Sequence, residues 1–186
     1  MISFEAWLEL IPEFGEIRDP ELRALSLGAI QAAAEKGGWT RETAALAPVT
    51  VRYRGARGLI DHIRAVTRTC MADLEVLGGF YENNGCPLDR DLVVCGALLH
   101  DIGKFTEFTL EAEVPAYSAS AALLRHPLSG AIIAARAGLP DTVVNLIATH
   151  SFEGKDSART READFVRSVD EFVFNCSVAG LKKISP

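Results

Sequence analysis

The chain has 186 residues, of which 48% are hydrophobic, and this length and composition suit one domain with a sizeable core. Its formal net charge of −6 disfavours a protein that binds nucleic acid over its whole surface, because such binding needs an excess of positive charge. The apolar runs are far shorter than the roughly 20 residues that span a bilayer, so we expect no membrane partner.

Cysteine usage and the start of the chain bear on where the protein works. The four cysteines form no C-x-x-C pair, and Cys95 lies within an apolar run, as a small core residue would. This usage fits a reducing compartment better than a disulfide framework. Residues 1–5 are acidic rather than basic and no long apolar run follows them, so no signal peptide is predicted. We therefore expect a cytoplasmic protein.

The first 57 residues predict short helices and one extended segment. Asp19 before Pro20 is typical of a helix N-cap followed by proline in the first turn, and we expect this helix to end at Gly37. Residues 48–57 alternate apolar and polar side chains, as a single strand or arm would. No second run of this kind is present to pair with it, so no sheet is expected. The helical patterns cover residues 3–14, 20–37 and 40–47.

From Gly58 onward the periodicity is helical. Apolar residues recur at spacings of three and four from Leu59 to Leu77, and we expect this long helix to end at Gly78 or, at the latest, at Tyr81. The sequence thus predicts an all-α protein with short connections. Further helices are predicted over residues 89–102, 118–125, 127–138, 141–150 and 160–175, separated by an irregular stretch at 105–115 and a polar loop at 153–159.

A polar pair ends the most apolar of these predicted helices. His100 and Asp101 follow the run Leu92–Leu99, with Gly103 as a helix stop and Lys104 directly after it. Adjacent residues on a helix point about 100° apart, so the pair needs a reason to face the same interior. A metal ion supplies one, because an imidazole and a carboxylate can converge on a cation that offsets their burial.

The histidines as a set strengthen this interpretation. Each of the four lies on a different predicted helix, and at least three lie where the helix faces the core. Buried imidazoles need hydrogen-bond or metal partners, and one shared centre supplies them all. Asp101 is the obvious acidic ligand and could bridge two ions. The histidines are His62, His100, His126 and His150.

The last predicted helix offers two further carboxylates. Asp170 lies about 100° from the centre of the apolar face and Asp164 about 140°, on helical geometry. This favours Asp170 as an inward-facing ligand by a small margin, and Asp164 stays open on the residues alone.

The order of these residues resembles the HD-domain metal-dependent phosphohydrolase superfamily, over roughly residues 55–175. Its most specific motif here is Leu98–Lys104. The neighbouring sequence is similar to the branch that includes the HD domain of YhaM-type 3′-5′ exoribonucleases, without their OB module. The similar features include Gly58–His62, Lys104–Glu107 and Leu123–His126, and the alignment of Glu162-Ala163 with Asp170 favours Asp170 over Asp164.

The resemblance implies an HD-domain helical bundle, which we assign to residues 55–186. Residues 1–54 lie outside the resemblance, and we expect them to form an N-terminal helical extension packed on the bundle in one structural unit. The resemblance also implies two divalent transition-metal ions, of Fe, Mn, Co, Ni or Zn. One ion would be bound by His62, His100, Asp101 and Asp170, and Asp101 would bridge to a second ion held by His126 and His150. Many family members have a second histidine where this chain has Ser151, which argues against a third metal.

The activity implied is hydrolysis of a phosphoester, with Asp101 and Lys104 as catalytic residues. Lys104 would contact a phosphate oxygen, and Glu107 would orient a ligand histidine. The net charge and the missing OB module favour a nucleotide or another small phosphoester over RNA. Five arginines are candidates for a local basic stripe against a background of ordinary solvated arginines: Arg52, Arg54, Arg57, Arg64 and Arg68.

Two other functions share the same ligand pattern. Some HD-fold proteins with this ligand set are similar to di-iron oxygenases, and the residues do not separate these from hydrolases. A non-catalytic nucleotide-binding or interaction module is the third alternative. Phe4, Trp7 and Trp39 of the N-terminal helices are expected either to cover the core or to form a homodimer surface.

Overall fold

A computed structural model describes residues 2–56, 58–111 and 114–184. The fold is a helical bundle with one small hairpin, which confirms the predicted all-α class. None of the described helices is long and apolar enough to cross a membrane. The helices are α1 (Phe4–Leu10), α2 (Pro20–Lys36), α3 (Arg41–Ala44), α4 (Leu59–Asn83), α5 (Arg90–Leu99), α6 (Lys104–Glu107), α7 (His126–Arg136), α8 (Asp141–Thr149) and α9 (Arg161–Val178); the antiparallel hairpin pairs β1 (Phe108–Glu111) with β2 (Val114–Tyr117), and two 3₁₀ turns lie at Pro12–Glu16 and Phe152–Gly154.

Helix α5 forms the centre of the bundle because nearly every side chain on it is apolar. All residues from Val93 to Leu99 are buried, and the helix contacts α2, α4, α8 and α9. Gly96 allows the closest of these contacts, since a Cβ there would lie 2.2 Å from a methyl carbon of Leu146 on α8. The polar pair that follows α5 is therefore placed in the middle of the molecule.

The N-terminal segments cover this core with aromatic side chains. Trp7 and Trp39 are buried, and both rings pack edge-to-face against Phe105, the residue after Lys104. The Trp39 indole also donates a hydrogen bond to the Phe105 carbonyl at 2.6 Å. Of the three aromatic residues considered for a dimer surface, only Phe4 is exposed. A homodimer and the domain boundary between residues 54 and 55 stay predictions.

A buried carboxylate ties the first 3₁₀ turn to α4. Glu13 is 6% exposed and accepts hydrogen bonds from Arg64 at 3.1 Å and from Arg68 at 2.5 Å. Two of the five arginines of the expected basic stripe thus neutralise an internal acid. Arg57, a third member, lies outside the described residues.

Several helix ends differ from the predicted ones. Helix α1 ends at Leu10 instead of reaching residue 14, since Pro12 lacks the amide hydrogen that an α-helix needs and a 3₁₀ turn follows. Helix α4 continues through Gly78 and Gly79 to Asn83. Each glycine there weakens the helix by only about 1 kcal/mol, which the long helix tolerates. Helix α5 ends at Leu99 rather than at residue 102.

The largest differences lie between α5 and α7. The stretch expected to be irregular contains the hairpin, and the helix expected at residues 118–125 is a series of turns. Ser118 explains part of this, because its hydroxyl donates to the Thr106 carbonyl at 2.7 Å and its amide to the Glu107 carbonyl at 2.8 Å. These bonds to residues 11 and 12 positions earlier hold Ser118 in a non-helical position at the start of the segment.

The extended segment at 48–57 was expected to have no pairing partner, but it pairs with other segments. Within the described residues it forms isolated bridges, one of which joins Tyr53 to Lys183 near the C-terminus. The amide of Ile184 donates to the Arg52 carbonyl at 2.8 Å, and the amide of Arg54 donates to the Lys182 carbonyl at 3.1 Å. The two flanks of the helical bundle therefore meet.

Gly103 should be essential for the packing of α7 against the turn after α5. A Cβ at this position would lie 2.0 Å from the carbonyl oxygen of His126 and 2.8 Å from the amide of Gly130, and backbone atoms cannot move aside cheaply. We expect Gly103→Ala to lower the free energy of unfolding by roughly 1–3 kcal/mol, measured by urea denaturation.

Gly28→Ala is the matched control, because Gly28 lies inside α2 with open space around the position of a Cβ. It should raise stability by roughly 0.5–1 kcal/mol, the usual gain for alanine within a helix. Equal effects of the two substitutions would contradict the close packing inferred at Gly103.

Candidate metal centre

The backbone after α5 explains how adjacent residues face one interior. The amide of His100 still bonds to the Gly96 carbonyl at 2.8 Å, so His100 continues the helix. The chain then tightens into turns, with the amide of Lys104 donating to the Asp101 carbonyl at 2.9 Å. This tightening changes the direction of successive side chains, and both His100 and Asp101 are buried at the same point.

Four other elements bring the remaining predicted ligands to that point. His62 lies in the first turn of α4, His126 begins α7, His150 follows α8 and Asp170 lies within α9. The donor atoms fall into two groups, each with its atoms within 4.8 Å of one another. One group is His62, His100 and Asp170, and the other is Asp101, His126 and His150.

Asp101 lies between the two groups, and its two oxygens face different histidines. Its Oδ2 is 3.5 Å from Nε2 of His62 and 3.4 Å from Nε2 of His100. Its Oδ1 is 3.5 Å from Nε2 of His126 and 3.4 Å from Nε2 of His150. The carboxylate therefore has one oxygen for each half of the cluster.

The other ring nitrogens fix the orientation of three imidazoles. Nδ1 of His100 lies 2.7 Å from the Ala97 carbonyl, and Nδ1 of His150 lies 2.8 Å from the Ile147 carbonyl. A carbonyl only accepts, so each Nδ1 carries a proton, and each Nε2 is the nitrogen that would bind a metal ion in the centre. This is the arrangement that metal-binding histidines usually have.

His126 is oriented by a carboxylate. Nδ1 of His126 lies 2.7 Å from Oε2 of Glu107, which is 1% exposed, and the other oxygen of Glu107 lies 2.8 Å from Arg125. The pKa of Glu107 is lowered despite its burial, because His126 and Arg125 stabilise the charged form. Glu107 thus contacts one of the predicted ligand histidines.

Asp170 rather than Asp164 reaches the cluster. Its Oδ1 is 2.9 Å from Nε2 of His62 and 3.6 Å from Nε2 of His100. Asp164 lies one and a half turns earlier on α9, where its side chain is 59% exposed and pairs with Arg159 at 2.5 Å.

The cluster keeps its carboxylates ionised. Burial raises the pKa of Asp101, but Lys104 and His100 more than offset this and hold the pKa well below its usual value. The pKa of Asp170 is lowered in the same way, with His100 and His62 outweighing burial. Burial lowers the pKa of His100, but the carboxylates of Asp101 and Asp170 outweigh it and raise that pKa to about 10. The same negative charges that favour a proton on His100 favour a metal cation.

Two features indicate that the residues fit metal ions. Oδ1 of Asp101 is buried in the cluster and has no hydrogen-bond partner among the described residues, and a buried polar atom left unpaired costs about 1–3 kcal/mol. The separations of 3.4–3.5 Å from the Asp101 oxygens to the nitrogens are those of atoms sharing one ion at about 2.1 Å each. Imidazole and carboxylate together suit first-row transition metals.

The cluster opens onto a cavity of about 670 Å³. Lys104 lies on its wall and pairs with Oδ2 of Asp101 at 2.6 Å. Arg52, Arg125 and Arg167 also line it, and Phe174 adds an aromatic wall. Sequence reasoning did not single out Arg167 or Phe174. They are seven residues apart on α9 and so share one face of that helix, but no local pattern marks them.

A comparison with protein-family models identifies the class. The HD domain model matches residues 59–174, which is more than half of the chain, and the chain therefore belongs to the HD domain family. This family implies the superfamily of metal-dependent phosphohydrolases, whose members bind divalent metals. No curated protein and no solved structure gave a significant match. The similarity to the YhaM-type branch stays a prediction.

Glu107 should strengthen metal binding through His126. Glu107→Gln removes the negative charge next to His126 Nδ1 and keeps the size of the side chain, so the histidine becomes a weaker ligand. We expect the affinity for Mn²⁺ or Zn²⁺ to fall by about tenfold, measured by titration against a chelating dye.

Glu153→Gln serves as the control, because Glu153 pairs with the same Arg125 at 3.3 Å but is not hydrogen-bonded to a predicted ligand. It should leave metal affinity within about twofold of the original. Equal losses in the two variants would contradict a specific role for Glu107.

Proposed function

We propose that the protein hydrolyses the phosphoester of a nucleotide or another small phosphorylated compound, using two divalent transition-metal ions. The observation that carries the proposal is the position of Asp101, whose two oxygens face two separate pairs of histidines. A single bridging carboxylate between two imidazole pairs suits a dinuclear site. The candidate metals are Fe, Mn, Co, Ni and Zn, because imidazole-rich sites accept all of them.

Each ion has its own set of residues in this proposal. His62, His100, Asp170 and Asp101 would hold the first ion, and His126, His150 and Asp101 would hold the second. When bound, such ions supply Lewis acidity and make water a stronger nucleophile near neutral pH. Because Asp101 belongs to both sets, it fixes the position of one set relative to the other.

Lys104 acts on the substrate side of this centre. Its ammonium uses one N–H to bind Asp101 and lines the cavity, so further N–H donors are available to a phosphate oxygen. Its charge also helps to keep Asp101 ionised while it is buried. Lys104 therefore binds the substrate phosphate and holds the carboxylate in its charged form.

The form of the cavity favours a small anionic substrate. The chain as a whole carries a net charge of −6, and four cationic side chains and four carboxylates line this cavity. Two of the carboxylates, Asp101 and Asp170, are proposed metal ligands, so bound ions would offset their charge and leave the cations to attract a compact phosphorylated compound more than a polymer with charge along its length. RNA is accordingly the less favoured substrate.

Residues 1–54 are proposed to act as a helical extension on the HD domain of residues 55–186, together one structural unit. Support comes from Trp7 and Trp39, which pack on Phe105 immediately after Lys104. The extension would hold the turn that carries the His100-Asp101 pair.

Asp101→Ala should abolish both metal content and hydrolysis, because it removes the only residue common to the two metal sets. Metal content is measured by elemental analysis of the purified protein. Hydrolysis is measured against nucleoside mono-, di- and triphosphates and cyclic nucleotides. EDTA treatment of the unaltered protein should give the same loss of hydrolysis, and added metal should restore it.

Three results would contradict the proposal. Hydrolysis that survives in Asp101→Ala after the metal is lost would exclude a metal-dependent reaction. Turnover that depends on O₂, with no phosphatase activity, would identify a di-iron oxygenase instead. Nucleotide binding without turnover by the metal-loaded protein would favour a non-catalytic module.

Asp170→Asn and Asp164→Asn form a matched pair on α9. Asp170 touches His62 inside the cluster, whereas Asp164 is exposed and bound to Arg159. We expect Asp170→Asn to lower metal affinity by at least about tenfold and Asp164→Asn to leave it unchanged. Metal titration of both variants measures this, and a loss confined to Asp164→Asn would reverse the assignment.

A further inference from the structure

Two cationic side chains at the mouth of the site come from outside the matched HD region of residues 59–174. Arg52 precedes α4 and Lys183 follows α9. Backbone pairing brings them together, since Tyr53 bridges to Lys183 and the amide of Ile184 donates to the Arg52 carbonyl at 2.8 Å. The part of the cleft next to Arg52 and Lys183 therefore needs both the segment before α4 and the segment after α9.

The cavities around these residues adjoin one another. The metal-site cavity of about 670 Å³ is followed by a smaller one of about 210 Å³, which is lined by His126, Lys104 and Lys183. A third, of about 660 Å³, has mainly apolar walls that include Val51 and Ile184. Arg52 and Arg125 line all three cavities, so a molecule extending from the metal centre passes both arginines.

The cations along this path differ in whether their charge is already neutralised. Lys104 pairs with Asp101 at 2.6 Å, and Arg125 pairs with Glu107 at 2.8 Å. In the part of the chain that the structure describes, no carboxylate lies within 4.0 Å of the cationic groups of Arg52 and Lys183. Two charges next to the site are therefore available to a ligand.

We propose that Arg52 and Lys183 form a subsite for a second phosphoryl group of the substrate. This rests on the proposed function, in which the scissile phosphoryl group binds at the metal centre. Two cations that line the same two cavities match a phosphoryl group, which carries close to two negative charges at neutral pH, better than a carboxylate with one. The substrate class is a small phosphoester with two phosphoryl groups on one organic moiety, whose apolar part contacts the walls of the third cavity.

The test compares two double variants that change the same charge on neighbouring residues. Arg52→Gln with Lys183→Gln removes the proposed subsite. Arg54→Gln with Lys182→Gln is the control, because these residues lie close to the first pair in the sequence and line none of the three cavities. The probes are adenosine 3′,5′-bisphosphate, with two phosphoryl groups, and adenosine 5′-monophosphate, with one.

Binding of each probe is measured by isothermal titration calorimetry, and hydrolysis is measured separately. We expect the unaltered protein to bind the bisphosphate more tightly than the monophosphate. The subsite variant should bind the bisphosphate about tenfold more weakly, with the monophosphate within about twofold, since the partly exposed charges contribute a moderate free energy. The control variant should change neither affinity. If hydrolysis occurs, the loss should fall on KM for the bisphosphate rather than on kcat.

Several results would overturn the subsite. Among them are no preference of the unaltered protein for the bisphosphate, equal losses for both probes, and equal losses in the two variants. Tighter binding of a short RNA that weakens equally in both variants would also overturn it, because it would indicate general attraction to a polymer. Preference for the bisphosphate without any hydrolysis would instead support the subsite and contradict the phosphohydrolase proposal.

Discussion

A single ionised carboxylate in the centre of the helical bundle determines much of the surrounding structure. Asp101 is 1% exposed, and burial alone would raise its pKa and favour the neutral form. An ammonium at 2.6 Å and four imidazole nitrogens at 3.4–3.5 Å surround it instead. A buried charge persists only with such partners, so five elements of the fold must each deliver one group to the same point.

The tight packing around the turn after α5 follows from this requirement. Gly103 allows the turn to approach the start of α7 so closely that a Cβ would meet the His126 carbonyl at 2.0 Å. On the other side, Gly37 lies so near the Phe105 carbonyl that a Cβ would be only 1.8 Å away, and Trp39 binds the same carbonyl. The turn is thus held from both sides by backbone contacts, which keep Asp101 and Lys104 in place.

The spacing of residues in the sequence predicted the features that depend on near neighbours in the chain. The helices that carry the histidines, the Asp19 N-cap and the choice of Asp170 over Asp164 as the inward carboxylate could all be read from spacing and from the resemblance. The hairpin could not, since its strands have four residues each and are stabilised by cross-strand pairs such as Phe108 with Tyr117. The turns at 118–125 depend on a distant carbonyl at Thr106.

The cations at the mouth of the cleft, Arg52 and Lys183, could not be predicted from local sequence patterns either. Arg52 stood out in the sequence only as one of five arginines, and nothing marked Lys183, because 131 positions separate Arg52 and Lys183 in the printed sequence. The arginines of that group have different surroundings: Arg64 and Arg68 neutralise the buried Glu13, whereas Arg52 faces the cleft. The predicted ligands of the metal centre all lie within residues 59–174, and both mouth cations lie outside this range. The region that matches the family thus supplies the predicted metal ligands, while the two flanks add the cations of the proposed phosphoryl subsite.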